Sequence, residues 1–348
     1  MAQQRVRIGF IGAGGIARER HLPGLKKIPS VDLVVVANQH RSSAEKIASE
    51  YGFARVSDNW QDVINSKDVD AIFIAAPPYL HRDATLAALA AGKHVFCQAR
   101  MARNYREGLD MYEAARRSPL VTMVCPPPHA MKGDHFIKKL LGDGYIGKLR
   151  EVHVHAMANA YADDAPLHWR QDAFISGYNT LNLGMLVEVL HRWVGYFHSV
   201  SAQTAYHVPR RPKVGSVQQV AVDVADSVGV VASARSGALA VLHFSGVTHF
   251  GGENHIELYG SEGTLVYYIS SHRILGAHLG DSELKELEIP ADLVRPWTAE
   301  ADFISAIQTG SPVSPNFEEG LRYVEFTEAV YRSARSGKAI ALPLEPND

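Results

Sequence analysis

Near the start of the chain, Gly12-Ala13-Gly14-Gly15-Ile16-Ala17 has the residue types and spacing with which a backbone turn grips a pyrophosphate. Gly12 suits the tight turn, and Gly14 leaves space for an anion to approach. Gly15 and Ile16 open a helix whose first N–H groups point at that anion, and the small Ala17 lets helix and strand pack closely. At the end of the next strand, where a carboxylate would bind the ribose hydroxyls of NAD, stand Asn38, Gln39, His40 and Arg41. Without a carboxylate at Asn38 a 2′-phosphate is not repelled, and the Arg41 fork can pair with one. NADP or NAD is therefore the expected cofactor, with NADP favoured.

Such a turn works only between a strand and a helix, and the sequence supplies both. The apolar run Val6 to Ile11 precedes it and the helical segment Arg18 to Lys27 follows. The alternation then continues. Strands are expected at Asp32 to Ala37, Ala71 to Ala75, His94 to Cys97 and Val121 to Val124, with helices ending at Tyr51 and spanning His81 to Ala91 and Tyr105 to Arg117. Ser42 and Glu45 read as a capping box opening the helix to Tyr51. This is the pattern of a doubly wound parallel α/β sheet. Pro126-Pro127-Pro128 can continue neither strand nor helix, so the reading places a Rossmann domain at 1–125 and a second domain at 126–348.

In the second domain several strands succeed one another: Leu149 to Met157, Ser199 to Ala205, Val220 to Ser233, Ala238 to Gly246, His255 to Tyr259 and Gly263 to Ile269. Helices are expected at Thr180 to Val194 and Phe317 to Ser336. The fold class is thus α/β followed by an α+β domain with a large, open, mostly antiparallel sheet. A sheet that broad needs both faces covered, and a homodimer or homotetramer would do so.

The 348 residues exceed what one core fills, and 35 Lys plus Arg against 37 Asp plus Glu leave no basic stripe for nucleic acid. No apolar stretch is long enough to span a bilayer. Two cysteines, Cys97 and Cys125, make no disulfide framework and read as buried small hydrophobes. With no apolar leader after Met1, a cytoplasmic protein is expected.

The chain resembles the glucose-fructose oxidoreductase/inositol dehydrogenase/MocA (Gfo/Idh/MocA) family over nearly its whole length. The likeness rests on the glycine turn, Ala75-Ala76-Pro77-Pro78-Tyr79-Leu80-His81, Gly92-Lys93-His94-Val95-Phe96-Cys97 and Gly144-Tyr145-Ile146-Gly147. Trp169-Arg170-Gln171-Asp172 with Ser176-Gly177, and Ser333-Ala334-Arg335-Ser336-Gly337-Lys338, complete it. The resemblance implies an NAD(P)-dependent dehydrogenase of a sugar, polyol or related hydroxy compound, often a dimer or tetramer through the sheets. It implies cofactor contacts at Ala76, Pro77, His81, Gln98, Trp169 and Arg170, and substrate contacts at Asn179 and Asn182.

At the positions that carry the family's chemistry this chain departs from it. Where the family has Glu-Lys-Pro, the chain reads Gln98-Ala99-Arg100. The family's helix aspartate and histidine are Asn182 and Leu186, and a further aspartate is Val189. Oxidising an alcohol releases a proton, and none of Ala99, Asn182 or Leu186 accepts one. The catalytic candidates are then His129, an imidazole beyond the proline run, as base, Arg100 as an anchor for an anionic group, and Asn182. Tyr161, Asp163, Asp164, His168 and Arg170 lie on a polar loop that can line a substrate site. His153 and His155 share a strand face without a third ligand, so no metal is expected. Three readings remain: an oxidoreductase with a rebuilt site, a cofactor-assisted lyase or isomerase, and a non-enzymatic NAD(P)-binding sensor or scaffold.

Overall fold

A computed structural model describes residues 5–126, 130–161, 165–178 and 181–345. The chain divides into two compact units, Met1–Pro126 with Thr298–Arg322, and Pro127–Trp297 with Tyr323–Asp348. A continuous 126–348 domain would put Thr298–Arg322 in the second unit; the structure puts it in the first. The reason is apolar packing: Phe303, on the helix Ala299–Thr309, meets Phe73 and Phe96 edge-on, at 5.4 and 5.6 Å between ring centroids.

The first unit is built on β1 (Val6–Ile11), β2 (Val31–Ala37), β3 (Arg55–Ser57), β4 (Ala71–Ile74), β5 (His94–Cys97) and β6 (Thr122–Val124). All are parallel, in the order β3-β2-β1-β4-β5-β6. The order reverses between β1 and β4, and the carboxyl ends of strands at such a reversal are where open α/β sheets bind ligands. The centre of the sheet is uniformly apolar because helices cover both faces. Phe10 stacks on Phe73 and Phe73 on Phe96, with centroids 5.6 and 4.5 Å apart.

One local expectation is corrected here. The helix Arg41–Tyr51 begins one residue before Ser42, so Ser42 lies in its first turn and makes no capping box. Instead the Ser43 hydroxyl donates to the His40 carbonyl at 2.8 Å and Glu45 pairs with Arg41. The short β3 and the helix Trp60–Asn65 were too brief to show as periodic segments.

The second unit holds β7 (Leu149–Met157), β8 (Phe197–Ala205), β9 (Arg210–Pro212), β10 (Gln219–Ala221), β11 (Ser227–Ala234), β12 (Leu239–Ser245) and β13 (His255–Gly260). It continues with β14 (Gly263–Tyr268), β15 (Ile274–His278), β16 (Lys285–Glu286) and β17 (Ile340–Ala341). Nine form one sheet in the order β16-β15-β14-β13-β7-β12-β11-β8-β17. β7 and β12 are parallel and the other pairs antiparallel, so the sheet is mixed. The strand expected over Val220 to Ser233 is broken: β10 ends at Ala221 and belongs with β9 in a separate hairpin, while β11 starts after the fully buried Asp226. The helix expected from Thr180 begins at Leu183, because Asn182 takes a left-handed conformation (φ 61°) that a helix cannot include. Along β11 and β12 buried and exposed residues alternate, and one face shows Val231, Leu239 and Val241 to solvent. Among the described residues no helix is long and apolar enough to cross a membrane.

Candidate functional site

The glycine turn joins β1 to a helix whose first part, Ala17–His21, is a π-helical turn running into Leu22–Lys26. Gly12 has φ 81° and donates its N–H to the Ala37 carbonyl at 2.9 Å. A Cβ on Gly12 would sit 2.4 Å from the Ala76 nitrogen, so only glycine fits between β1 and the end of β4. Gly14 and Gly15 are the opposite case. A Cβ on either would meet nothing within 4 Å, and both are exposed: an open cradle at a helix N-terminus, as a pyrophosphate needs. Ala17 is fully buried. The residues present fit a dinucleotide.

Asn38 serves this turn. Its Oδ1 accepts from the Ala13 N–H at 2.7 Å and its Nδ2 donates to the Ser43 hydroxyl at 3.0 Å. The Arg41 guanidinium, exposed at the rim, is held by Glu45 at 2.8 Å and by both oxygens of Asp58 at 2.7 Å. A 2′-phosphate would have to share this cation with two carboxylates.

At the carboxyl ends of β4 and β5 the chain has Ala76, Pro77, His81, Gln98 and Arg100. The His81 ring is buried, with Nε2 2.7 Å from the Ala76 carbonyl and Nδ1 2.9 Å from that of Arg100. Burial pushes its pKa down, while the carbonyls of Ala76, Met101 and Arg100 against the ring push it up. The ring, expected as a cofactor contact, shapes the loop that carries Ala76 and Pro77. The Gln98 Oε1 is 2.6 Å from Nε2 of His21, whose Nδ1 is 2.5 Å from Glu300. Burial alone would lower the His21 pKa, but Cys125 and Glu300 beside it hold it up at about 10. The ring is therefore an imidazolium donating to Glu300 and to Gln98. Arg100 is 5 % exposed. Cys97 and Cys125 are buried thiols.

In the second unit four of the expected residues come together. Tyr161 and His168 have ring centroids 6.0 Å apart, and the Arg170 guanidinium lies 4.1 Å over the Trp169 ring. Nδ1 of His168 accepts from the Arg170 N–H at 3.2 Å, and the Gln171 side chain accepts from the His168 N–H at 3.3 Å. Burial pushes the Arg170 pKa down. Asn182 is exposed ahead of the helix Leu183–Val194, on which Leu186 and Val189 are buried. His153 is 2.9 Å from Glu151, while His155 lies 2.8 Å from the Gly251 carbonyl and stacks on His255. Among the described residues no three His, Cys, Asp or Glu side chains group to hold a metal. His129, Asp163, Asp164 and Asn179 lie outside the described residues.

The "Oxidoreductase family, NAD-binding Rossmann fold" model of the Gfo/Idh/MocA family matches residues 6–125, and the family's C-terminal domain model matches 135–266. The chain belongs to the Gfo/Idh/MocA oxidoreductase family. It is an NAD(P)-dependent oxidoreductase. It is similar to levoglucosan dehydrogenase of Pseudarthrobacter phenanthrenivorans, with 25 % identity over 98 % of this chain and 99 % of that one. It is similar also to 1,5-anhydro-D-fructose reductase of Ensifer adhaerens, with 26 % identity over 96 % and 97 %. A solved levoglucosan dehydrogenase in complex with NADH and L-sorbose superposes with a TM-score of 0.90, at 23 % identity over 97 % of this chain and 99 % of that one.

Within this Gfo/Idh/MocA chain, the sequence reading missed three buried charged residues: His21 and Glu300, beside Gln98 in the first unit, and Arg211, beside the Tyr161 segment in the second. His21 lies four residues after Ala17, on the same helix face, which is a signal for burial. Glu300 and Arg211 carry no such signal, because their partners are far away in sequence.

Proposed function

We propose that this oxidoreductase takes a sugar or polyol as substrate, with NADP(H) preferred over NAD(H). The open cradle at Gly14 and Gly15 carries the cofactor assignment, and the names of the two full-length relatives support the substrate class. Gly12 to Ala17, Asn38, Ala76, Pro77, Gln98, Trp169 and Arg170 hold the cofactor. Bound there, the nicotinamide supplies hydride acceptance or donation. The chain's own residues handle the proton: His129 takes it from the substrate hydroxyl, and Arg100 steadies the oxygen or an anionic group, with Tyr161, His168, Asn179 and Asn182 against the substrate.

The test is a screen of levoglucosan, 1,5-anhydro-D-fructose, aldoses and polyols, following both nicotinamide absorbance and product. Turnover with a net absorbance change is the expected result. Product without net change would instead indicate a cofactor-assisted lyase or isomerase, and tight binding without product a sensor. His129→Ala should lower kcat by about 10² while leaving cofactor affinity unchanged.

For the cofactor, calorimetric titration should show NADP(H) binding more tightly than NAD(H). Asp58→Asn, which relieves Arg41 of one carboxylate, should widen that preference. A tenfold preference for NAD(H) in the unaltered protein would reverse the assignment. The exposed face carrying Val231, Leu239 and Val241 fits a second copy, so light scattering should give a mass above 38.1 kDa.

A further inference from the structure

Arg211 is among the largest side chains in the protein with no solvent exposure, and it sits on β9 of the small two-stranded hairpin rather than in the main sheet. Its guanidinium reaches out of the hairpin into another segment. Nη2 donates to the Tyr161 carbonyl at 2.9 Å and Nη1 to the Ala165 carbonyl at 3.3 Å. A fully buried carboxylate, Asp226, lies 3.9 Å from Nη2 and accepts from the Val208 N–H at 2.9 Å. The fork thus brackets two carbonyls four residues apart, a geometry for which one planar cation with five donors is suited and a lysine is not.

Two further bonds tie the same segment to the same hairpin region. The Leu167 N–H donates to the Pro212 carbonyl at 2.8 Å, and the Ala173 N–H to the Asp223 carboxylate at 2.9 Å. Between these two anchors lie His168, Trp169 and Arg170. The capping bonds of His168 fix only the local turn. The bonds of Leu167 and Ala173 tie it to the hairpin region, and at the start of the segment the Tyr161 N–H donates to the Gly246 carbonyl at 2.9 Å.

We propose that Arg211 is a positioning residue for ligand binding: by holding the Tyr161 and Ala165 carbonyls it sets where Trp169 and Arg170 stand. This rests on the reading that Trp169 and Arg170 contact the cofactor. Without the fork, two carbonyls lose a donor and the buried Asp226 loses its nearby cation while keeping the Val208 N–H, and the segment is loosened while the nine-stranded sheet keeps its own ladder.

The experiment uses the full chain and NADH, in four variants. Arg211→Met is expected to raise the NADH Kd by tenfold or more. Amide hydrogen exchange should speed up in 165–171 and stay unchanged in β7, β12 and β13. Arg211→Lys, which keeps one donor group, should recover part of the affinity. Should Arg211→Met fail to fold, Asp223→Ala cuts the tether at Ala173 from the exposed side and should shift Kd and exchange the same way by a smaller factor. Trp169→Ala separates the two layers of the argument. If it weakens NADH binding but neither Arg211→Met nor Asp223→Ala does, Arg211 is structural only and the proposal is overturned. If Trp169→Ala also leaves Kd unchanged, the cofactor reading of Trp169 is wrong and the proposal falls with it. A uniform rise in exchange across the sheet would likewise reduce Arg211 to a stability residue.

Discussion

Replacing Gly12 by alanine should raise the Kd for NADH at least a hundredfold, measured by nicotinamide fluorescence, in a protein that still folds. The left-handed backbone at Gly12 costs a residue with a Cβ only about 1–2 kcal/mol. The larger cost is the collision. The added carbon would lie 2.4, 2.5 and 2.8 Å from the nitrogen, Cα and Cβ of Ala76, atoms anchored at the end of a central strand. The turn must move away, and with it the cradle formed by Gly14 and Gly15. Gly52 provides the control. It has nearly the same φ, 80°, but a Cβ there meets nothing within 4 Å. Gly52→Ala should therefore cost about 1–2 kcal/mol of stability and leave Kd unaltered. Equal binding losses in the two variants would show that backbone conformation, and not the contact with Ala76, governs the site.

That contact was only half legible in the sequence. The requirement for glycine at position 12 follows from the motif, but the identity of the atom opposite it does not. The same division runs through the molecule. β1, β2, β4 and β5 are short apolar runs spaced by helices, and such periodicity is a local property of the chain. The place of the helix Ala299–Thr309 is not local. Nothing in its pattern says that Phe303 packs on Phe73 and Phe96 rather than in the unit whose residues precede it.

Polar residues were harder still, because a side chain can spend its bonds inward or outward and the sequence does not say which. Asn38 and Arg41 read as groups turned toward a ligand. In the structure Asn38 is engaged by Ala13 and Ser43, and Arg41 by Glu45 and Asp58. His81, read as a cofactor contact, has its ring nitrogens against the Ala76 and Arg100 carbonyls. Tyr161, His168 and Arg170 read as part of one polar loop, and in the structure the rings of Tyr161 and His168 are 6.0 Å apart while the Arg170 N–H donates to His168.

The second large effect is expected at His21 and Glu300, a buried ion pair whose members are 279 residues apart. With its pKa raised from the ordinary 6.5 to about 10, His21 keeps its proton in the fold where the unfolded chain has released it. A raised pKa contributes stability that is whole below pH 6.5 and is lost as pH climbs to about 10, at up to about 1.4 kcal/mol per pH unit. Glu300→Gln removes the counter-charge with little change of shape. At pH 6 it should cost about 3–5 kcal/mol, the range for a buried charge left without its partner. The cost should shrink toward pH 10, where His21 of the wild-type pair has lost about half of its charge. Urea unfolding of both proteins at pH 6 and pH 9.5 measures this, and parallel curves would refute the ionised pair. His21→Leu combined with Glu300→Met should be less damaging than Glu300→Gln alone at pH 6, since no charge remains to be stranded. Cofactor affinity should nonetheless fall in the double variant, because Gln98, at the end of β5, loses the imidazolium that fixes its Oε1.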